Sequence, residues 1–213
     1  MRIVVISDTH GKHENVALPD GDVLIHAGDV SSHGDRREIE RFVQWYADLP
    51  HPHKILVAGN HDHFIEQEPA EFQSILPAAI TYLQDSGIQI DGVNFWGSPM
   101  TPKFFDWAFM AEIGPELNTH WDKIPADTDI LITHGPPLGV MDEVFHDGAL
   151  TAAGCPNLLA KIKELAPAYH LFGHIHEGYG QQDIDTTRFI NVSTMNEHYE
   201  IQNAPVVFEY AAN

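Results

Sequence analysis

Five short apolar runs, spread over most of the chain, each end in polar residues, and this recurrence constrains the fold more than any other feature. Ile3 to Ile6 runs into Ser7-Asp8, Val23 to Ala27 into Gly28-Asp29, and Ile55 to Ala58 into Gly59-Asn60. Ile130 to Thr133 runs into His134-Gly135, and His170 to Phe172 into Gly173-His174. Short runs rich in β-branched residues and bounded by Gly are buried strands. Polar groups that follow such strands are expected to gather along one edge of a sheet.

Helical patterns lie between the runs. From Arg36 to Leu49, the residues Ile39, Phe42, Val43, Tyr46 and Leu49 recur at helical spacing, while Glu38 and Glu40 fall on other faces. Cys155 to Ala166 repeats the pattern with Leu158, Leu159, Ile162 and Leu165, and Pro167 stops it. Glu71 to Leu76 is a shorter helical stretch. Ile88 to Ile90, Val93 to Trp96, Arg188 to Val192 and Val206 to Phe208 alternate instead, and read as strands of a second, mixed sheet. Strands and helices interleaved throughout make the chain α/β. Two mixed β-sheets flanked by helices, a four-layer αββα sandwich, would bury the apolar runs on both faces. With 213 residues, 43% of them hydrophobic, and no repeat, low-complexity segment or linker, residues 1–213 are expected to form a single domain.

Charge narrows the partners. Eleven Lys and Arg against 31 Asp and Glu give a formal net charge of −20. Such a surface repels long nucleic acid and favours solubility. No apolar run approaches the ~18–20 residues needed to cross a bilayer. The chain opens directly into the run Arg2 to Ile6, so no signal peptide is expected. The single cysteine, Cys155, rules out an internal disulfide and suits a reducing compartment, so a cytoplasmic protein is expected. Cys155 itself reads as a small residue at a helix entrance.

The polar clusters are Asp8-Thr9-His10, Gly28-Asp29, Gly59-Asn60-His61-Asp62, His134 and Gly173-His174-Ile175-His176. Carboxylate, carboxamide and imidazole suit hard-to-borderline divalent ions, and the lack of thiolates argues against a Cys-type structural zinc site. In Asp8-Thr9-His10 and His174-Ile175-His176 the i and i+2 side chains can face the same way just beyond a strand. The glycines let backbone approach without a side chain in the way. Two metal ions side by side, with one histidine to spare, is the arrangement this donor set can supply.

These motifs, in this order, resemble the calcineurin-like metallophosphoesterase superfamily, whose pattern is Asp-x-His, Gly-Asp, Gly-Asn-His-Asp/Glu, a His, then Gly-His-x-His. The likeness extends to its metallophosphoesterase-domain-containing branch through Asp22 to Asp29, Gly97-Ser98-Pro99, Leu131 to Gly139 and Phe172 to Gly180, and covers about residues 2 to 210. That resemblance implies a metal-dependent phosphoesterase. One ion would be held by Asp8, His10, Asp29 and His176, and the second by Asp29, Asn60, His134 and His174, with Asp29 shared. A water between the ions, deprotonated near neutral pH, would attack phosphorus in line. His61 would protonate the leaving oxygen, and Asp62, its neighbour, would help orient it. Mn, Fe, Zn, Co and Ni all suit the donors, with Mn favoured.

Two divalent ions less two carboxylates and a hydroxide leave about +1 locally, a focus for a small anion rather than a long polyanion. Protein phosphatases of the superfamily carry an arginine in Gly-Asp-x-x-Asp-Arg-Gly. Here the stretch is Gly28-Asp29-Val30-Ser31-Ser32-His33-Gly34, with no permanent cation. A monoanionic diester needs less countercharge, so phosphodiesters are expected. The branch, with the related class III cyclic-nucleotide phosphodiesterases, points to cyclic nucleotides. A phosphomonoesterase or broad phosphatase is the alternative, and a non-catalytic metal-binding scaffold a weaker one. Lys12, His13 and His33 lie beside ligand motifs and are candidate phosphate contacts. Phe104, Phe105, Trp107 and Phe109 are candidates either to stack a nucleobase or to pack in a core or subunit interface. Related enzymes often dimerise, so a homodimer is one expectation.

Overall fold

The computed structural model describes residues 1–146 and 148–211. In chain order its strands are β1 (Arg2–Ile6), β2 (Val23–Ala27), β3 (His53–Val57), β4 (Thr81–Tyr82), β5 (Ser86–Ile90), β6 (Val93–Ser98), β7 (Thr101–Pro102), β8 (Met110–Ala111), β9 (Ile130–Thr133), β10 (Glu143–His146), β11 (Ala149–Ala152), β12 (Tyr169–Phe172), β13 (Gly180–Ile184), β14 (Thr187–Asn191) and β15 (Val206–Glu209). The helices are α1 (Arg36–Asp48), α2 (His63–Gln67), α3 (Pro69–Ile75), α4 (Pro115–Trp121) and α5 (Pro156–Leu165).

One sheet has the order β15-β1-β2-β3-β4, and the other the order β13-β14-β12-β9-β6-β5. Strands β1 to β4 run parallel, with β15 antiparallel at the edge. In the second sheet β14, β12, β9 and β6 are parallel, and β13 and β5 close the edges antiparallel. Two expectations change. Val206 to Phe208 belongs to the first sheet, beside β1, and the runs ending in His134 and Gly173 belong to the second. The polar motifs therefore do not share one sheet edge. A continuous apolar run fixes a buried strand but carries no information about which sheet takes it.

Side-chain alternation builds the layers. Ile3, Val5, Ile25, Ile55 and Val57 share a buried cluster with Phe95, Ile130, Ile132, Leu171 and Ile190, between the two sheets. Val4, Leu24 and Leu56 turn the other way, onto Ile39, Phe42, Val43 and Tyr46 of α1, and the Tyr46 hydroxyl donates to the carbonyls of Leu24 and Ile55. Trp96, Leu131 and Phe172 face Leu117, Trp121, Leu158 and Ile162 of α4 and α5. The result is the expected sandwich of two mixed sheets between helices. Asp35 caps α1 by accepting from the amides of Arg37 and Glu38, and the Cys155 sulfur caps α5 from Leu158. Helices α2 and α4 and the hairpin β10–β11 add to the elements expected from the sequence. Among the described residues no helix is long and apolar enough to cross a membrane.

At the carboxyl ends of their central strands the sheets are tied together. Ser7, just past β1, bridges to Ser193, just past β14, and the Thr194 amide donates to the Ser7 carbonyl at 3.0 Å. This seam is where the motifs meet.

Candidate metal centre

Asp8, His10, Asp29 and His174 all take left-handed backbone, with φ of 54°, 40°, 56° and 69°. Such conformations cost non-glycine residues energy and persist only where the surroundings impose them. Here each residue lies in the short turn that follows a strand, where the chain must bring its side chain into the seam. Gly59 and Gly173 are demanded by close approach: a Cβ on the first would overlap Asp29, and on the second the Asp8 carboxylate.

The two sheets contribute different donors. From the first come Asp8, His10, Asp29, Asn60 and His61, and from the second His134, His174 and His176. Donor atoms of Asp8, His10 and His176 fall within 4.8 Å of one another, as do those of Asp29, His134 and His174, and those of His10, Asp29 and His61. Asp29 thus belongs to two of the clusters. Its Oδ2 lies 3.7 Å from His10 Nε2 and 3.3 Å from His134 Nε2. Asn60 Oδ1 is 2.9 Å from His134 Nε2, and His176 Nε2 is 3.7 Å from Asp8 Oδ1.

The hydrogen bonds behind the rings reveal what the cluster is built to hold. His10 Nδ1 lies 3.2 Å from the Ser31 carbonyl, His61 Nδ1 2.9 Å from Ser32, His134 Nδ1 3.0 Å from Ala27 and His176 Nδ1 3.0 Å from Asn196. A carbonyl only accepts, so each Nδ1 carries a proton and each ring turns its Nε2 toward the seam. The Nε2 atoms of His10 and His176 lie 3.3 Å apart. Two imidazole nitrogens at that distance, flanked by buried carboxylates, share one positive charge, a proton or a metal ion. Divalent ions fit this donor set, with the backing carbonyls fixing the tautomers.

The protein's own field points the same way. Burial raises the Asp8 carboxyl, but the hydrogen bond and charge of His176 outweigh it and hold Asp8 well below the usual carboxylate range. Asp29 is likewise raised by burial and more strongly lowered by His134. Burial lowers His134, yet the charge and hydrogen bond of Asp29 push it up to about 9. His174, buried and beside His134, is lowered to about 3, and burial lowers His10. Without a metal, a proton on His134 serves as the counterion; a divalent ion competes with that proton.

A cleft of about 210 Å³ opens onto the cluster, with His61, Trp107, Phe104, Phe105, His174 and Tyr199 among its walls. Trp107 lies tilted over the His61 ring at 4.4 Å. The Tyr199 ring meets His10 at 5.0 Å and His176 at 4.9 Å. Tyr199 and the carbonyls of Ser31, Ser32 and Asn196 escaped the sequence reading, since a backbone oxygen has no residue signature and Tyr199 lies outside every motif.

The candidate phosphate contacts fall elsewhere. His13 is buried with its ring against Phe42 and Trp45, at 5.3 and 4.7 Å. Lys12 donates from Nζ to the Tyr199 carbonyl at 2.7 Å, and His33 is exposed, its amide on Glu38. None of the three lines the cleft. Nor does the Asp62 carboxylate hold the His61 ring: it accepts from the amides of Gly59 and Val30, and from both the amide and the hydroxyl of Ser31, and so ties the Asp29 and Asn60 loops together. Burial and the nearby Asp29 raise Asp62 to about 6. Phe104 and Phe105 are exposed at the cleft, whereas Phe109 is buried in the core.

The family model described as calcineurin-like phosphoesterase matches residues 1–178. The chain is 40% identical to a UPF0046 protein of Caenorhabditis elegans, over 98% of this chain and 74% of that one. It is 38% identical to metallophosphoesterase domain-containing protein 1 of Homo sapiens, over 98% and 70% respectively. The crystal structure of TT1561 of Thermus thermophilus superposes with a TM-score of 0.61 at 16% identity, covering 89% of this chain and 88% of that one, which shows a shared fold.

Proposed function

The chain belongs to the calcineurin-like phosphoesterase family, metal-dependent hydrolases of phosphoester bonds, and on that premise we propose that it is a two-metal phosphodiesterase for small substrates, cyclic nucleotides among them. The observation that carries this reading is the shared position of Asp29, which stands in two donor clusters at once. Asp8, His10, Asp29 and His176 would hold one ion, and Asp29, Asn60, His134 and His174 the other. Manganese is the ion proposed, on donor chemistry that Fe, Zn, Co and Ni also suit. Bound there, such ions supply Lewis acidity toward phosphate oxygens and lower the pKa of water.

The chain's own residues supply the rest. His61 takes its Nδ1 proton to the Ser32 carbonyl and has its ring braced by Trp107, so Nε2 faces the cleft. Protonated there, it gives its proton to the departing alkoxide. No arginine or lysine lines the cleft among the described residues. A monoanionic diester suits that electrostatic balance better than a dianionic monoester. The test is hydrolysis of bis-p-nitrophenyl phosphate and p-nitrophenyl phosphate at equal metal loading, with metal content measured on the same preparation. Two ions per chain and faster turnover of the diester are expected. A single ion, or a faster monoester, overturns the reading.

A further inference from the structure

A second cavity, of about 540 Å³, opens beside the metal-side cleft and shares Phe104, Phe105 and His174 with it. Its far walls are Ile113 and the hairpin β10–β11, which contributes Val144 and Phe145. Among the described residues of its lining the only charged side chain is Lys103, and the Lys103 amine pairs with Glu112 at 3.6 Å. Phe105 and Phe145 are 65% and 69% exposed, a large apolar surface to leave in water. The metal-side cleft, at about 210 Å³, falls short of the ~300–1,000 Å³ typical of sites that enclose a whole small ligand. The two spaces together reach that range.

The geometry points to this cavity as the subsite for the ester group that stays on phosphorus, an uncharged aromatic or branched apolar group, the base of a nucleotide ester included. This rests on the phosphodiesterase reading and deepens it. In diester hydrolysis a water oxygen bonds to phosphorus, the P–O bond to one alcohol breaks, and that alcohol's oxygen takes a proton as the water gives one up. The other ester group is retained. His61, which gives the proton, stands at the Trp107 side of the cleft. The Phe104 ring stands at the other side, 5.7 Å from the His174 ring, where the larger cavity begins. The retained group therefore lies toward His174 and the hairpin. A monoester has no second organic group to place there, so the same cavity favours diesters without any added charge.

The test keeps the leaving group fixed. Methyl p-nitrophenyl phosphate and phenyl p-nitrophenyl phosphate are compared on metal-loaded wild type and on Phe145→Ser and Ile113→Ser, each rate normalised to the uncatalysed one. Burying a phenyl group in such a cavity is worth on the order of 10- to 100-fold in kcat/KM. The phenyl-to-methyl ratio is expected in that range for wild type and to fall several-fold in both variants; a ratio taken within one preparation is blind to loss of folded protein. Equal turnover of the two esters overturns the inference, and so does a ratio that survives both substitutions. If neither ester is hydrolysed, it is the phosphodiesterase reading that fails. The subsite is then tested by calorimetric binding of phenylphosphonate and methylphosphonate, where a phenyl preference lost in Phe145→Ser upholds it and equal affinities overturn it. A dimer that Phe145→Ser dissociates, with both esters turned over alike, assigns the cavity to a second copy of the chain and also overturns the inference.

Discussion

The first sheet brings every carboxylate and carboxamide oxygen to the centre, along with His10 and His61, whereas the second sheet brings imidazoles alone. Asp8 and Asp29 are held far below their ordinary range by the rings of the opposite sheet, and His134 is pushed up to about 9 by the Asp29 it reaches across to. At His174, burial and the neighbouring His134 outweigh Asp29 and Asp8, and the ring falls to about 3. Neither sheet is a site by itself. The centre exists because the carboxyl ends of two sheets are tied together, through the bridge from Ser7 to Ser193, the Ala27 carbonyl on His134 Nδ1, and the His174 amide on the Asp8 carboxylate at 3.1 and 3.2 Å.

The substitution that breaks this comparison most severely is Asp29→Asn, which removes the charge both clusters share. It keeps the shape and the amide contact from His61 at 2.8 Å. Loss of shared metal binding is expected to cost more than about 10⁴-fold in kcat/KM. Elemental analysis should find at most one ion per chain; two ions with near-normal turnover would remove Asp29 from the centre of the scheme. Next in size is His61→Ala, which leaves both ligand sets intact and takes away the proton donor. About 10²–10⁴-fold in kcat is expected to go, with metal content unchanged. If that variant instead loses an ion, His61 is a ligand, as its place in a cluster with His10 and Asp29 allows. Trp107→Ala then separates positioning from chemistry. It frees the His61 ring but not its link to Ser32, so roughly 10-fold in kcat is expected, a fraction of the His61 effect. Metal content should be unchanged, because no proposed ligand is altered; loss of an ion would mean that Trp107 holds the donor set together rather than the His61 ring alone.

The gathering of the candidate donors was legible because each sits within four residues of a strand end, and short-range patterns are what a sequence carries. Asp8, Asp29, Asn60, His134, His174 and His176 all arrive at the seam as that rule requires. The pairing of strands was not legible, because it is settled by long-range contacts. Val206 to Phe208 alternates like an edge strand of either sheet, and only its antiparallel register with β1, Arg2 against Glu209, decides. The backing carbonyls of Ser31, Ser32 and Asn196 belong to residues whose side chains say nothing about them. Lys12 and His13 flank His10 in sequence, but the short turn at His13–Asn15 sends His13 under α1, against Phe42 and Trp45. The hairpin left little signal, because Glu143-Val144-Phe145-His146 and Ala149-Leu150-Thr151-Ala152 do not alternate, and Phe145 and Leu150 are exposed rather than half-buried.

The smallest expected effect tests where the sheets are alike. Each buries a strand histidine against a threonine of a ligand motif: His26 Nε2 is 3.0 Å from Thr9 Oγ1, and His170 Nε2 is 2.8 Å from Thr133 Oγ1. Burial lowers both rings to about 3 from the usual 6.5. The folded chain therefore keeps His170 neutral while the unfolded chain protonates it below about pH 6.5. Stability linked to this ring is full above that pH and drains away as pH falls toward 3, by at most ~1.4 kcal/mol per pH unit. His170 touches no proposed ligand, and His170→Gln retains a side-chain amide to meet Thr133. Urea unfolding of metal-stripped wild type and His170→Gln at pH 7.5 and 5.5 isolates the ring, since every other titration is common to both. The wild type is expected to lose about 1 kcal/mol more than the variant between those two pH values. Parallel losses would mean that His170 protonates in the folded state, and that the second sheet does not seal its strand histidine away from water.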